Sequence, residues 1–221
     1  MDRVRGEVGR RARDHRQMKI LAIELSTARG SLAVLNDDVD LARDWPNDRK
    51  HSGAFFESLQ EVAKKFGAPE KIVVGLGPGS YAGTRIAISA AIGLQAASNA
   101  QLVGFPSICA MESAEPEYYV IGDARRHTFF FARVRTNELI EGPALFGEAE
   151  LNEKLDSLGP TMSILCSEPL PQFKRAVLVY PSAKILARLA HDADRSFSLP
   201  PLEPMYLREP HITVPRSITK I

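Results

Sequence analysis

One stretch constrains this chain more than any other: Gly75-Leu76-Gly77-Pro78-Gly79-Ser80-Tyr81-Ala82-Gly83-Thr84-Arg85, which runs without a breaker into Ile86 to Asn99. Ahead of it, Lys71-Ile72-Val73-Val74 is a short, mostly β-branched run that predicts a buried strand. The segment after it is rich in Ile, Ala and Ser and predicts a helix from Ile86 to Asn99. Strand, glycine turn and helix N-terminus together present backbone N–H groups to an anion, or else bring a strand and a helix very close. A Walker A loop needs Gly-x-x-x-x-Gly-Lys-Ser/Thr, but Gly83-Thr84 has no lysine and the spacing from Gly77 is one residue too long. A dinucleotide fingerprint needs a third glycine where Ser80 stands. What remains is a glycine-rich binding loop of unassigned ligand (Gly77, Pro78, Gly79, Ser80, Gly83, Thr84, Arg85) or a tight packing turn.

The helix carries its own information. Ile86, Ala90, Gly93 and Ala97 share one face, while Ala87, Ile88, Ala91, Ile92 and Leu94 cover most of the rest. A helix apolar nearly all round is expected to be covered on both sides, one by its own sheet and the other by a second domain or another chain. Its small residues let a neighbour approach the backbone closely.

The 221 residues allow one large domain or two small ones, and 44% hydrophobic with 25% charged residues is an ordinary globular composition. No apolar run reaches the roughly 20 residues that span a bilayer, which argues against a membrane segment. Cys109 and Cys166 lie far apart in apolar surroundings and are expected as buried free thiols in a reducing compartment, the cytoplasm. Residues 1–17, with six arginines against three acids and no periodicity, predict a disordered basic arm, and Met18 opens the folded pattern as an alternative start. The arm is +3 in a chain of net +1, which leaves residues 18–221 at −2. A free-standing RNA-binding domain is expected to be basic, and this one is not.

Ile20–Leu25, Ser31–Leu35 and Val39–Asp44 predict three strands, turning at 27–30 and at Asn36-Asp37-Asp38. A helix follows from an N-cap at Ser52 to Phe66, closed by Gly67 and Pro69. Its stripe of Phe55, Leu59, Val62 and Phe66 is widened by Phe56 and Ala63. With Leu102–Phe105 as a further strand, residues 18–105 make one α/β lobe. Pro106 marks the joint, where Ser107 caps a short helix through Met111. In 106–221, strands are expected at 118–123, 128–136, 138–140, 163–166 and 176–179, with helices at 148–158 and 182–191. After Leu199, five prolines predict an extended arm on the surface. The second lobe reads as a reduced version of the first.

At this point the residues resemble the TsaB (YeaZ) family. The resemblance runs from Met18 to about Arg208 and rests on ILAIELSTARGSLAV, GLGPGSYAGTRIAISAAIGLQAA, GDAR at Gly122–Arg125 and EPMYLR at Glu203–Arg208. It implies an actin-like, Hsp70-like ATPase (ribonuclease H-like) fold in two lobes, with the second reduced. It implies a non-catalytic role in placing threonylcarbamoyl on the adenosine beside the anticodon of tRNAs reading codons that begin with A. The chain would bind and activate the paralogue TsaD, which carries the metal and nucleotide chemistry, alongside the ATPase TsaE, with tRNA held through the complex. The partner interface implied is Phe56 and Ala63 on one helix and Ile86, Ala90, Gly93 and Ala97 on the next. No intrinsic cofactor is expected. ATP or ADP at the complex interface, and a homodimer of the chain alone, are left open.

The residues agree with a subunit that does no chemistry. Catalytic members of the superfamily place an Asp in the first strand, and Glu24 stands there with a longer arm. The paralogue's metal pair is His-x-x-x-His, but four residues after His51 comes Phe55. His15, His127, His191 and His211 are scattered, so neither a catalytic residue nor a metal site is assigned. Ser26 and Thr27, with Glu24, occupy the first phosphate loop of the fold and could hold a nucleotide weakly without hydrolysing it. Asp37-Asp38 reads as a turn pair. Asp123 with Arg125 and Arg126 reads as a structural salt bridge or, less simply, as a group facing the cleft. The alternative is an independent small ATP-dependent phosphotransferase of the same fold, which would want the first-strand Asp and a full second lobe. A peptidase, a name once attached to the family, has little support because Gly79-Ser80-Tyr81 lacks the last glycine of a nucleophile elbow.

Overall fold

The computed structural model describes residues 18–36, 38–47 and 53–208. The basic segment 1–17, Asp37, His51, the capping residue Ser52 and the last part of the proline-rich arm lie outside them, as do His15 and His211. The strands form two five-stranded sheets. The first is built from β1 (Ile20–Glu24), β2 (Arg29–Asn36), β3 (Asp38–Pro46), β4 (Lys71–Gly75) and β5 (Gln101–Phe105), in the order β3-β2-β1-β4-β5. The second is built from β6 (Glu117–Asp123), β7 (Thr128–Arg135), β8 (Glu138–Gly147), β9 (Ile164–Cys166) and β10 (Ala176–Leu178), in the order β10-β9-β6-β7-β8. Each sheet has three antiparallel strands, then two parallel to the innermost one. The second half therefore repeats the first.

The repeat is reduced at one definable place. In the first half α1 (Gly53–Phe66) joins β3 to β4, and α2 (Tyr81–Ser98) joins β4 to β5. In the second, α3 (Glu148–Asp156) joins β8 to β9, but β9 reaches β10 without a helix. Leu170 and Phe173, in that connection, fill the space beside α3 and pack with Phe129, Phe131, Leu151 and Leu155. The Phe173 ring meets Phe129 edge-on, with centroids 4.9 Å apart.

Period-two alternation distributes the central strands between two cores. From β1, Leu21 and Ile23 join the core under α1 and α2, while Ile20 and Ala22 point the other way. From β6, Tyr119 and Ile121 face α3, while Tyr118 and Val120 turn back to meet Ile20 and Ala22 in a shared core. That shared core is filled by α4 (Ala183–His191), a helix of the second half that packs on the first sheet through Ala183, Leu186, Ala187 and Ala190. Both its ends are tied to the first sheet. The Ala183 N–H donates to Ser31 Oγ at 2.9 Å, and Lys71 Nζ, 8% exposed, donates to the Ala190 carbonyl at 2.7 Å. A cation on the last carbonyls also suits the helix dipole, although burial lowers the lysine's pKa.

Several local expectations change. The helix after the glycine turn begins at Tyr81 rather than Ile86, because Ser80 Oγ accepts the Gly83 N–H at 3.2 Å and caps it there. Arg29 and Gly30 belong to β2 rather than to a turn, and Gly30 pairs with Trp45. β8 runs to Gly147, well past the short strand expected at 138–140. Ser107 does not cap a helix: it is the first residue of a 3-10 turn (Ser107–Ala110), and its hydroxyl is used elsewhere. The C-terminal arm is extended but only partly superficial. Leu202 is buried in the first lobe's core, and the Met205 N–H donates to the Leu76 carbonyl at 2.7 Å. Both cysteines are free and buried, and burial pushes the Cys109 thiol up to about 12. Among the described residues, no helix is long and apolar enough to cross a membrane.

Candidate functional site

The glycine element makes a joint between elements of this chain. At its start, a Cβ on Gly75 would lie 1.8 Å from Glu24 Oε2, so glycine there makes room for the carboxyl group of the neighbouring strand. Gly77, with φ +91°, donates its N–H to Ser107 Oγ at 2.8 Å and accepts the Ser107 N–H at 2.8 Å. A Cβ on Gly79 would lie 2.1 Å from the Ser26 carbonyl oxygen, and one on Gly83 would lie 2.0 Å from that of Leu25. The Ser80 N–H donates to that Ser26 carbonyl at 2.6 Å, and Thr84, 1% exposed, returns its N–H and its hydroxyl to the Ser80 carbonyl, both at 3.0 Å. The glycines thus serve close backbone approach. The N–H groups of Gly77, Ser80, Gly83 and Thr84 all have partners within the chain, as the packing-turn alternative requires. Ser80 Oγ is occupied as a helix cap.

Glu24, Ser26 and Thr27 are brought together at the end of β1, where they are 0%, 1% and 8% exposed. Glu24 Oε1 accepts the Ser26 N–H at 2.6 Å. Oε2 has no partner in hydrogen-bond geometry, and neither does Ser26 Oγ. Burial pushes the Glu24 carboxyl above the ordinary carboxylate range, although the nearby hydroxyls of Ser26 and Ser107 and the Ser26 amide oppose the shift. At a pH between the ordinary value and the raised one, the folded chain holds a proton there that the unfolded chain releases. That stability is complete below the ordinary carboxylate pKa and falls as pH rises through the raised one. Glu24→Gln keeps the shape and removes the titration. Denaturant midpoints followed from acid to mildly alkaline pH should decline for the natural protein and flatten for the variant. Parallel curves would show that folding does not shift the Glu24 carboxyl.

The implied partner residues lie on the outer side of the first lobe. α2 faces its sheet with Thr84, Ala87, Ile88 and Ala91, all buried. Ile86, Gly93 and Ala97 are exposed and Ala90 half-buried, while Ile92, 50% exposed, projects from the flank of the helix about a third of a turn away. Among the described residues, nothing covers this second side. On α1, Phe55 and Val62 are buried, whereas Phe56, 54% exposed, and Ala63 face outward. Between the two helices lies a shallow apolar groove lined by Leu21, Val34, Leu59, Ala63, Phe66 and Leu94.

The GDAR segment closes the end of the second sheet. Asp123 Oδ1 accepts the Arg125 N–H at 2.6 Å and Oδ2 accepts the Arg125 guanidinium at 2.9 Å, so the salt-bridge reading is the one seen. Arg125, Arg126 and His127 all take left-handed backbone conformations, with φ of 67°, 55° and 59°. That costs about 1 kcal/mol or more per residue and is held by the Thr128 N–H and hydroxyl on the Arg125 carbonyl. The residue types alone gave no sign of three such residues in a row. Nor did they reveal that the Tyr206 ring, from the C-terminal arm, packs at a tilt against Tyr81, with centroids 5.6 Å apart. No group of His, Cys, Asp and Glu among the described residues could hold a metal ion.

Two sheets of the same strand order, packed through a shared core, define an α/β protein with the actin-like, ribonuclease H-like fold. The chain belongs to the family whose model is described as TsaD, tRNA N6-adenosine threonylcarbamoyltransferase, which matches residues 48–209. The fold is shared with YeaZ from Pseudomonas aeruginosa, at 19% identity and TM-score 0.60 over 79% of this chain and 91% of that one. A second P. aeruginosa structure, of an uncharacterized protein with similarity to peptidase YeaZ, is 21% identical, with TM-score 0.68 over 86% of this chain and all of the other. A Mycobacterium leprae relative, uncharacterized protein ML0378, is 30% identical over 150 residues. The match takes in 64% of this chain and spans 38% of the relative's length.

Proposed function

We propose that this chain is the TsaB-type, non-catalytic member of its family: a subunit that binds and activates TsaD within the complex that, with TsaE, threonylcarbamoylates adenosine in tRNA. The observation that carries the reading is the outer side of α2. Ile86, Gly93 and Ala97 are apolar or small and exposed, on the helix that walls the groove beside α1. A side chain such as Ile86, 40% exposed, gains roughly 25 cal/mol for each Å² of apolar surface that a partner covers. Small neighbours also let a second helix come close. The enclosure of Glu24 supports the same reading, because a carboxyl sealed behind Gly75 and beside Ser107 is not presented to a phosphate or a metal ion. The phosphotransferase alternative needs that carboxyl in the open.

Reconstitution tests this directly. The full chain alone should hydrolyse no ATP and modify no tRNA, and adding it to TsaD, TsaE, threonylcarbamoyl-AMP and tRNA should raise modification from near background. ATP turnover by the chain alone that is lost in Glu24→Ala would replace this reading with the phosphotransferase one. ATP or ADP, if it binds, is expected at the interface of the assembled complex. The chain is expected to act in the cytoplasm.

A further inference from the structure

A second surface lies where the first turn of α2, the C-terminal arm and the β6–β7 turn meet. The arm is the link. Tyr206 packs at a tilt against Tyr81, and the Arg85 guanidinium lies over the Tyr81 ring, 5.0 Å from its centroid, and bonds its hydroxyl. Two residues further on, a span of at most about 7 Å, Arg208 donates to Thr128 Oγ1 and approaches the Arg125 carbonyl at 3.5 Å. Tyr81 and Tyr206 remain 51% and 43% exposed. Beyond Arg208, the strained turn lifts Arg126 and His127 into solvent, and neither side chain has an ion pair or hydrogen bond among the described residues. The acids nearby are Asp123, which is engaged by Arg125, Glu168, which accepts the Asp123 N–H, and Glu203, beside Tyr206.

Four guanidinium groups and two half-exposed aromatic rings thus lie along one short stretch, although residues 18–221 sum to a net charge of −2. Guanidinium forks match phosphate oxygens, and a half-exposed aromatic ring accepts an unpaired base whatever its identity. An acidic protein surface would answer the charges and an apolar one the rings, whereas a strand with unstacked bases answers both. We propose that this surface grips an unpaired RNA strand, with phosphates on Arg85, Arg126 and Arg208 and a base on Tyr206. The proposal rests on the reading above, which makes tRNA the complex's substrate, and it adds that this chain holds the RNA itself.

The test is fluorescence anisotropy of the full chain with a labelled anticodon-arm RNA hairpin, titrated at several salt concentrations. Segment 1–17 is present in every variant, so differences between variants report the surface alone. Arg126→Glu should weaken binding about tenfold and reduce the salt slope by about 0.7 for each phosphate no longer held. Tyr206→Ala should weaken it about tenfold through lost stacking, whereas Tyr206→Phe should keep most of the affinity. A duplex lacking the loop should bind less tightly and be indifferent to Tyr206. Pairing with TsaD, measured separately, should be unchanged by all three substitutions. Unchanged affinity and salt slope in Arg126→Glu and Tyr206→Ala would overturn the proposal. So would loss of TsaE binding at constant RNA affinity, which would make the surface a protein contact. Failure to pair with TsaD would count against the reading above and leave these RNA measurements valid.

Discussion

Gly83→Ala and Gly93→Ala, one substitution at two places in the same helix, are expected to move stability in opposite directions. Helix propensity favours alanine over glycine by about 1 kcal/mol at either site. A Cβ at Gly93 meets nothing within 4 Å, so that variant should gain about that much. A Cβ at Gly83 would stand 2.0 Å from the Leu25 carbonyl oxygen. The obstruction there is backbone, fixed at the end of β1 beside the Ser80–Ser26 hydrogen bond, and cannot swing aside as a side chain would. Forcing the two apart should cost about 3 kcal/mol or more, as overpacking in a rigid core does. Urea denaturation of both variants checks the signs. If Gly83→Ala is as stable as the natural protein, the close approach of α2 to β1 is wrong. Gly93→Ala carries a second readout, since a partner helix lying close against this side would lose affinity even as the free chain gains stability.

The largest effect on binding is expected from charge placed on the outer side of the first lobe. Ala97→Arg and Phe56→Glu alter exposed positions and should leave the melting temperature of the free chain nearly unchanged. In a complex, each would bury an unpaired charge, which costs several kcal/mol, so affinity for TsaD should fall by 100-fold or more. Ala90→Glu should do the same with a modest loss of stability, because Ala90 is half-buried against the core. The control is one residue further on. Ala91 is fully buried against the sheet, and Ala91→Glu should fail to fold. Calorimetry of the free variants and titration against TsaD separate the two outcomes. Normal affinity in folded Ala97→Arg and Phe56→Glu would remove this face as the interface.

The extent to which the sequence foretold the molecule can be read from α2 itself. Its existence, its apolar character and the glycines before it were legible, because helix propensity and the spacing of small residues are local properties. Its start was misplaced because a single side-chain bond, Ser80 Oγ to the Gly83 amide, brings Tyr81 to Arg85 into the helix. Its orientation was not legible at all. When every side is apolar, periodicity does not say which meets the sheet, and only the position of Ala87, Ile88 and Ala91 over β1 and β4 decides it.

The same division holds for the whole chain. Alternating strands, the unbroken apolar run after the glycines and two α/β halves in succession follow from the residues in order, since they depend on neighbours a few positions apart. That α4 crosses to the first sheet, tied by Ser31 and Lys71, was decided only in three dimensions. So was the use of Gly75 to enclose Glu24, and the meeting of Tyr206 with Tyr81. Each of these joins residues far apart in the chain, through contacts whose partners no local pattern names. A glycine in the sequence records that backbone must pass closely, while the tertiary structure alone determines what it passes.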